Sequence, residues 1–276
     1  MSSDEGKNSN HPTPDLHPWS LRISIMISIT IGLIVLACVF GGALLGICLH
    51  AVLPQHHLSS ETKDIVKLGM GLVGTMAALV LGLLVASAKG SYDTQSAELT
   101  QLAANVSLLD RVLAHYGPET KEIRDLLRSA VTRVLNQVWP KEGPSAAPAP
   151  PQAAGGDIIW DKIQGLSPKN DVQRSLQSQA LSIALDTGKV RQLMFAQATA
   201  AVSLPLLIVL VLWLTVIFIS FGLFAPLNTT AVASLFVSAL SVSGAIFLIL
   251  EMYTPYTGLI SISSAPLQAA LAQLGQ

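Results

Sequence analysis

"LGMGLVGTMAALVLGLLVASAKGSYDTQSAELTQLAANVSLLDRVLAHYGPE", residues 68–119, changes character halfway along. From Leu68 to Ala88 it runs 21 residues without a formal charge. A helix needs about 20 such residues to cross a hydrocarbon core. Beyond Lys89 the chain turns polar, yet apolar side chains recur at Leu99, Leu102, Val106, Leu109, Leu113 and Tyr116. Those steps of 3, 4, 3, 4 and 3 form a heptad seam. The spacing predicts one helix that leaves the membrane and continues through water. Gly117 suits its C-terminal cap, and Pro118 opens the next helix.

Three further runs resemble the apolar half of this one. Ile23–Leu49, Ala201–Phe224 and Thr229–Leu250 are 27, 24 and 22 residues without charge. The chain is 51% hydrophobic and 12% charged, where a soluble domain carries about a quarter charged residues. Helices with no polar face belong in a bilayer. The expected fold is all-α and integral to the membrane, with four transmembrane helices, long cytoplasmic helical extensions and a helical hairpin. The first run exceeds the roughly 7–15 residues of a signal-peptide core, and no A-x-A site follows it, so it is expected to stay as an anchor. Cys38 and Cys48 are ten residues apart within it. That is about 15 Å of helix rise, too far to bridge. The net charge is −1 and no basic block occurs, which excludes nucleic acid as a partner.

Four spans put both termini and the central segment on one side. That side holds Lys7, Arg22, Lys89, Lys189 and Arg191 near the membrane ends, against Lys63 and Lys67 opposite. The bias predicts both termini in the cytoplasm. The chain then divides into a polar tail (1–21), the first two spans (22–89) and cytoplasmic helices (90–139). A Pro/Ala-rich mobile linker (140–156) follows, then helices leading back into the membrane (157–200). The last two spans (201–250) and a C-terminal segment (251–276) complete it. Ser167-Pro168 is expected to start the last cytoplasmic helix, and Pro205 to kink the third span. Leu267, Leu271 and Leu274 are expected to lay a short terminal helix on the membrane surface.

Several residues invite a functional reading. Gly74, Ala78, Gly82, Ala86 and Gly90 repeat every four residues on the second span. Small residues let helix backbones approach closely in lipid. The stripe packs either against another span of the same chain or between protomers around a shared axis. Tyr92 suits the membrane interface, and Asp93 either pairs with Lys89 or takes a cation. Arg124, Arg128 and Arg133, interleaved with Glu122 and Asp125, read as a solvated face with local ion pairs, or as a phosphate or partner site. His50, His56 and His57 crowd the first loop without metal-site spacing. No activated nucleophile, phosphate-binding loop, metal set or cofactor site is visible, and enzyme chemistry has no carrier.

Glu251 is the one charged residue in the last 85. It falls at the cytoplasmic end of the fourth span, level with Lys89, Lys189 and Arg191. A carboxylate at this depth needs a cation or water. It is either a clamp to one of those bases or a charge lining an ion path.

The stretches "GTMAALVLGLLVASAKGSYDTQSAELTQLAANVSLLDRVLAHYGPE" and "GAIFLILEMYTPYTGLISISSAPLQ" resemble the bacterial bestrophin-like family of membrane proteins, a domain-of-unknown-function family. The resemblance covers most of 66–139 and 175–274. Its motif order is L-G-L, Y-D, Y-G-P, W-P, then an acid followed by P-x-x-G-L. The family is a distant relative of the bestrophin channels, where an apolar second helix also runs into Y-D and the helices assemble as a pentameric channel with an apolar neck. The chain departs from those channels in "TQSAELT" after Y-D and lacks a recognisable acidic calcium clasp. The resemblance implies a bacterial inner-membrane protein in a lipid bilayer and a homo-oligomer that passes inorganic ions. The alternative is a non-conducting scaffold or sensor whose cytoplasmic helices bind a partner.

Overall fold

The computed structural model describes residues 18–53, 60–139, 154–198, 203–226, 228–256 and 259–275, with no strand among them. Eight helices are present in the described residues: α1 (Pro18–Val52), α2 (Ser60–Tyr116), α3 (Lys121–Val138), α4 (Ala154–Gln164), α5 (Asp171–Ala198), α6 (Leu204–Phe224), α7 (Thr229–Met252) and α8 (Ala265–Gln273). α1, α2, α6 and α7 carry apolar stretches long enough to cross a membrane. α2 is continuous through Lys89 and Asp93. Its 57 residues extend about 85 Å at 1.5 Å per residue.

The apolar helices form a four-cornered bundle in which α6 and α7 each pack on both α1 and α2. Val39 and Ala43 of α1, Leu84 and Ala88 of α2, Leu210 of α6 and Ile246 of α7 are buried in its centre. The tightest contact lies between α1 and α6. A Cβ on Gly46 would sit 2.0 Å from the Ile219 carbonyl oxygen, and one on Gly222 would sit 2.0 Å from that of Ala43. Only glycine permits such backbone contact. His50 Nδ1, 2.8 Å from the Leu223 carbonyl oxygen, ties the same helices one turn further on. His56 and His57 lie outside the described residues.

α2 turns a different face to its neighbours than its small-residue repeat suggests. Ala77, Leu84 and Ala88 are buried, while Ala78, Gly82, Ala86 and Gly90 are exposed. A Cβ on Gly74, Gly82 or Gly90 would meet nothing within 4 Å. Packing of this stripe against another span of the same chain is therefore corrected: within the protomer it faces open space.

Pro205 produces no kink inside a span. α5 ends at Ala198, and Pro205 occupies the first turn of α6, where its missing N–H leaves no bond unmade.

The polar half of α2 builds a second core. Leu99, Leu102, Val106, Leu109, Leu113 and Tyr116 are all buried. α3, α5 and α8 pack on this helix, and Leu127, Ile163, Ile183 and Leu267 share its core. The seam finds its partners inside the chain and needs no second copy. Gly117, at φ 138, takes a backbone conformation closed to L side chains, and Pro118–Thr120 is a 3-10 turn leading into α3. α4 begins at Ala154, inside the stretch expected to be linker; residues 140–153 lie outside the described residues. α5 begins at Asp171, not at Ser167-Pro168, because the Asn170 side-chain oxygen accepts from the Gln173 N–H as a helix cap.

The C-terminal helix is also corrected. Leu267, Ala270 and Leu274 are buried in the polar module, with Leu271 packed beside them, so no apolar stripe is left for a membrane surface. The segment runs along α2 from the level of Ser87, where Tyr253 binds, to Asp110, which accepts from the Gly275 N–H at 3.3 Å. The 23 residues between those α2 levels rise about 35 Å.

Candidate functional site

The end of α7 meets α2 where α2 changes from apolar to polar. The Tyr253 hydroxyl donates to Ser87 Oγ at 3.1 Å. After Met252 the chain folds back on itself, and the Leu259 N–H donates to Glu251 Oε2 at 2.5 Å. The Ile262 N–H donates to the Pro255 carbonyl at 2.8 Å. Trp139, at the end of α3, donates its indole N–H to the Ile262 carbonyl at 3.0 Å. Its ring meets that of Tyr256 edge-on at 5.9 Å. Glu251, Pro255, Tyr256, Leu259, Ile262 and Trp139 thus form one knot.

Glu251 is fully buried at 0% exposure. None of the three expected bases stands beside it among the described residues. Lys89 pairs with Asp93 on its own helix and lies over the Tyr92 ring, 5.6 Å from the centroid. Lys189 pairs with Asp186 at 3.1 Å. The Arg191 guanidinium lies over Gly156 of α4, where an added Cβ would be 3.0 Å from Nη1. The expected clamp is corrected accordingly. The two lysines have an acid one turn away on the same helix, and such local pairs form without any tertiary rearrangement. The Lys89–Asp93 side chains are 56% and 57% exposed, so the pair contributes about 1 kcal/mol or less.

Glu251 Oε1, Gln95 Oε1 and the Tyr256 hydroxyl are among the buried oxygens of the described residues that have no hydrogen-bond partner. Gln95 is 2% exposed and donates through Nε2 to Ser91 Oγ at 3.3 Å. Burial, reinforced by the charge of Glu98, pushes the Tyr256 phenol up to about 12. Native buried polar atoms are nearly always bonded to protein or water, so each of these stands out from the rest of the structure. Gln95 escaped the sequence reading because an isolated glutamine beside a heptad seam resembles surface.

A second polar cluster closes the far end of the module. Arg124 grips Asp110 with Nε at 2.7 Å and Nη2 at 2.9 Å. Asp110 also accepts from Gly275, and Arg128 Nη1 reaches the Leu274 carbonyl at 3.4 Å. Glu122 pairs with Lys162 of α4 at 2.7 Å. Part of the arginine face of α3 is thus a fastening for the C-terminal segment. The missed signal was Asp110, a lone acid one position after Leu109 on the seam.

Comparison with curated proteins and with solved structures finds no match. The family model of the Bestrophin-like domain matches residues 37–267, which takes in the second half of α1, all of α2 to α7 and both ends of the Glu251 knot. The chain belongs to the bestrophin-like family.

Proposed function

We propose that the chain is one protomer of a homo-oligomeric pore for inorganic ions in the bacterial inner membrane, with α2 nearest the shared axis. The observation that carries this reading is the outward face of α2. It is apolar, lined by glycine and alanine every four residues, and open along its length. Lipid tails offer such a stripe little, whereas a second helix can approach it closely. Thr75 and Ser87 are the only hydroxyls between Leu68 and Ala88, and a constriction this apolar gates by dewetting. The excess of basic residues places both termini and the polar module in the cytoplasm.

The second reading is a non-conducting scaffold or sensor. It draws on a shallow polar groove along α5, lined by Arg174, Ser175, Ser178 and Ser182. The mass of the purified protein in detergent, followed by conductance recording in planar bilayers, separates the two. Several copies and discrete currents are expected. A lone 29.1 kDa chain overturns the pore, and an oligomer without current favours the scaffold.

A further inference from the structure

The outward face of α2 does not end where its apolar half does. In that half Leu68, Leu72, Thr75, Leu79, Gly82 and Ala86 follow one another in steps of three or four, and all are exposed. Through Gly90 the same steps continue in the polar half along Thr94, Ala97, Gln101, Ala104, Leu108 and Arg111, again all exposed. The twelve steps from Leu68 to Arg111 span 43 residues, about 3.6 each, which is the period of the helix itself. The positions therefore form one straight stripe, opposite the side that buries Leu84, Leu99, Leu102 and Leu109.

The polar section of this stripe is unlike its surroundings. No residue on it is charged before Arg111. The outward faces of α3 and α5, in the same module, carry exposed Lys121, Asp125 and Arg133, and Asp171, Arg174 and Lys189. A helix face made for water is charged in this way. The α2 stripe instead offers Ala97 and Ala104, whose small side chains permit close approach, and Leu108, an apolar side chain 45% exposed. Asp93 and Asp110 lie off the stripe and pair with Lys89 and Arg124. Around a closed symmetry axis a residue faces its own copies, and a charge there meets its like at a cost. A neutral stripe of small residues is the surface that such an axis selects. A partner of different sequence imposes no such limit.

We propose that the stripe of α2 between Thr94 and Leu108 docks against the α2 helix of a second copy, so that the helices stay bundled beyond the membrane. The contact rests on the pore reading, which brings α2 near a shared axis. It extends that contact by the 18 residues from Gly90 to Leu108, about 27 Å of helix. An unbroken helix of 57 residues carries the direction set in the membrane into the water. Arg111 ends the neutral stretch; copies of its guanidinium repel, and the bundle opens there.

The test uses the full-length protein in isolated membranes, with Cys38→Ala and Cys48→Ala as background and one cysteine added at a time. Ala104→Cys probes the polar section and Leu79→Cys the apolar section. Ser129→Cys, on the exposed face of α3, reports random collision. After treatment with a short bis-maleimide, denaturing gels are expected to show covalent dimers for the first two and single chains for the third. Dimers from Leu79→Cys with single chains from Ala104→Cys overturn the docking and leave the pore reading standing. Single chains from both overturn the two together. Dimers from Ser129→Cys as abundant as those from Ala104→Cys overturn the docking, as does an Ala104→Cys adduct whose mass is not twice that of the chain. Leu108→Glu places like charges at the contact, at a position outside the protomer's core. Its oligomer fraction in detergent should fall several-fold at low salt and recover at high salt, where the charges are screened. An unchanged fraction overturns the docking.

Discussion

Between Gly74 and Gly90 α2 presents a small residue to open space every four positions. Between Leu99 and Tyr116 the same helix buries an apolar residue in its own chain every three or four positions. Both stretches carry a helical period. The difference lies in what the chain supplies beside them. The polar half is served by α3, α5 and α8, while the apolar half is packed, among the described residues, mainly by α6 and α7 on one side. A periodic face therefore reports that a neighbour is wanted, and the number of elements within reach decides whether the neighbour is internal. The α1–α6 contact gives the reference for a small-residue face already satisfied within the chain.

The largest effect should come from breaking that reference. Gly46→Leu drives a side chain into the backbone of Ile219, which cannot move without dragging α6. A loss of more than about 3 kcal/mol is expected, at or beyond the usual range for overpacking. It reads as a failure to recover monodisperse protein from the membrane.

Leu109→Ala empties a fully buried position in the polar core. The expected loss is about 3 kcal/mol, read as a lowered unfolding temperature. An unchanged temperature would mean that the seam is not closed within the chain.

Gly82→Leu is the sharpest contrast, because the same chemical change meets nothing within 4 Å. The protomer should keep its stability to within about 1 kcal/mol, the helix-propensity gain of losing a glycine. The mass in detergent should nevertheless fall, since a leucine holds neighbouring backbones apart. If Gly82→Leu destabilises the protomer as much as Gly46→Leu, the two faces are not different.

Much of the architecture was legible from residue order. The four uncharged runs, the heptad steps from Leu99 to Tyr116 and the Gly117-Pro118 stop each rest on local rules, and each appears where those rules put it. The destinations of faces were not legible. Leu267, Leu271 and Leu274 make the same stripe whether it lies on lipid or on α2, and only the path of the chain from Tyr253 to Gly275 decides. The repeat on α2 drew attention from the shorter Gly42-x-x-x-Gly46, which makes the closer contact. Glu251 was visible as an exception, but its surroundings were not. Depth matching put three bases at its level, and depth says nothing of azimuth around a bundle. Asp93 and Asp186, four and three residues from Lys89 and Lys189, were on the page as competitors.

The C-terminal segment is pinned near both ends: by the Tyr253–Ser87 bond and the Glu251 knot close to the apolar bundle, and by Asp110, Arg124 and Arg128 at the far end. Two parallel members joined at both ends behave as a truss. α2 alone would bow, because a helix about 85 Å long curves readily under lateral load. With the segment fastened alongside, bending α2 away from it would pull Leu267, Ala270 and Leu274 out of the shared core. Torque applied near Asp110 therefore arrives at Ser87 as rotation of a stiff beam, and a tilt of about 5° there corresponds to about 3 Å of travel at Asp110 over its 35 Å arm. Removing the Asp110 carboxylate would release Gly275 and Arg124 together and leave the far end of the beam braced by Leu267, Ala270 and Leu274 alone.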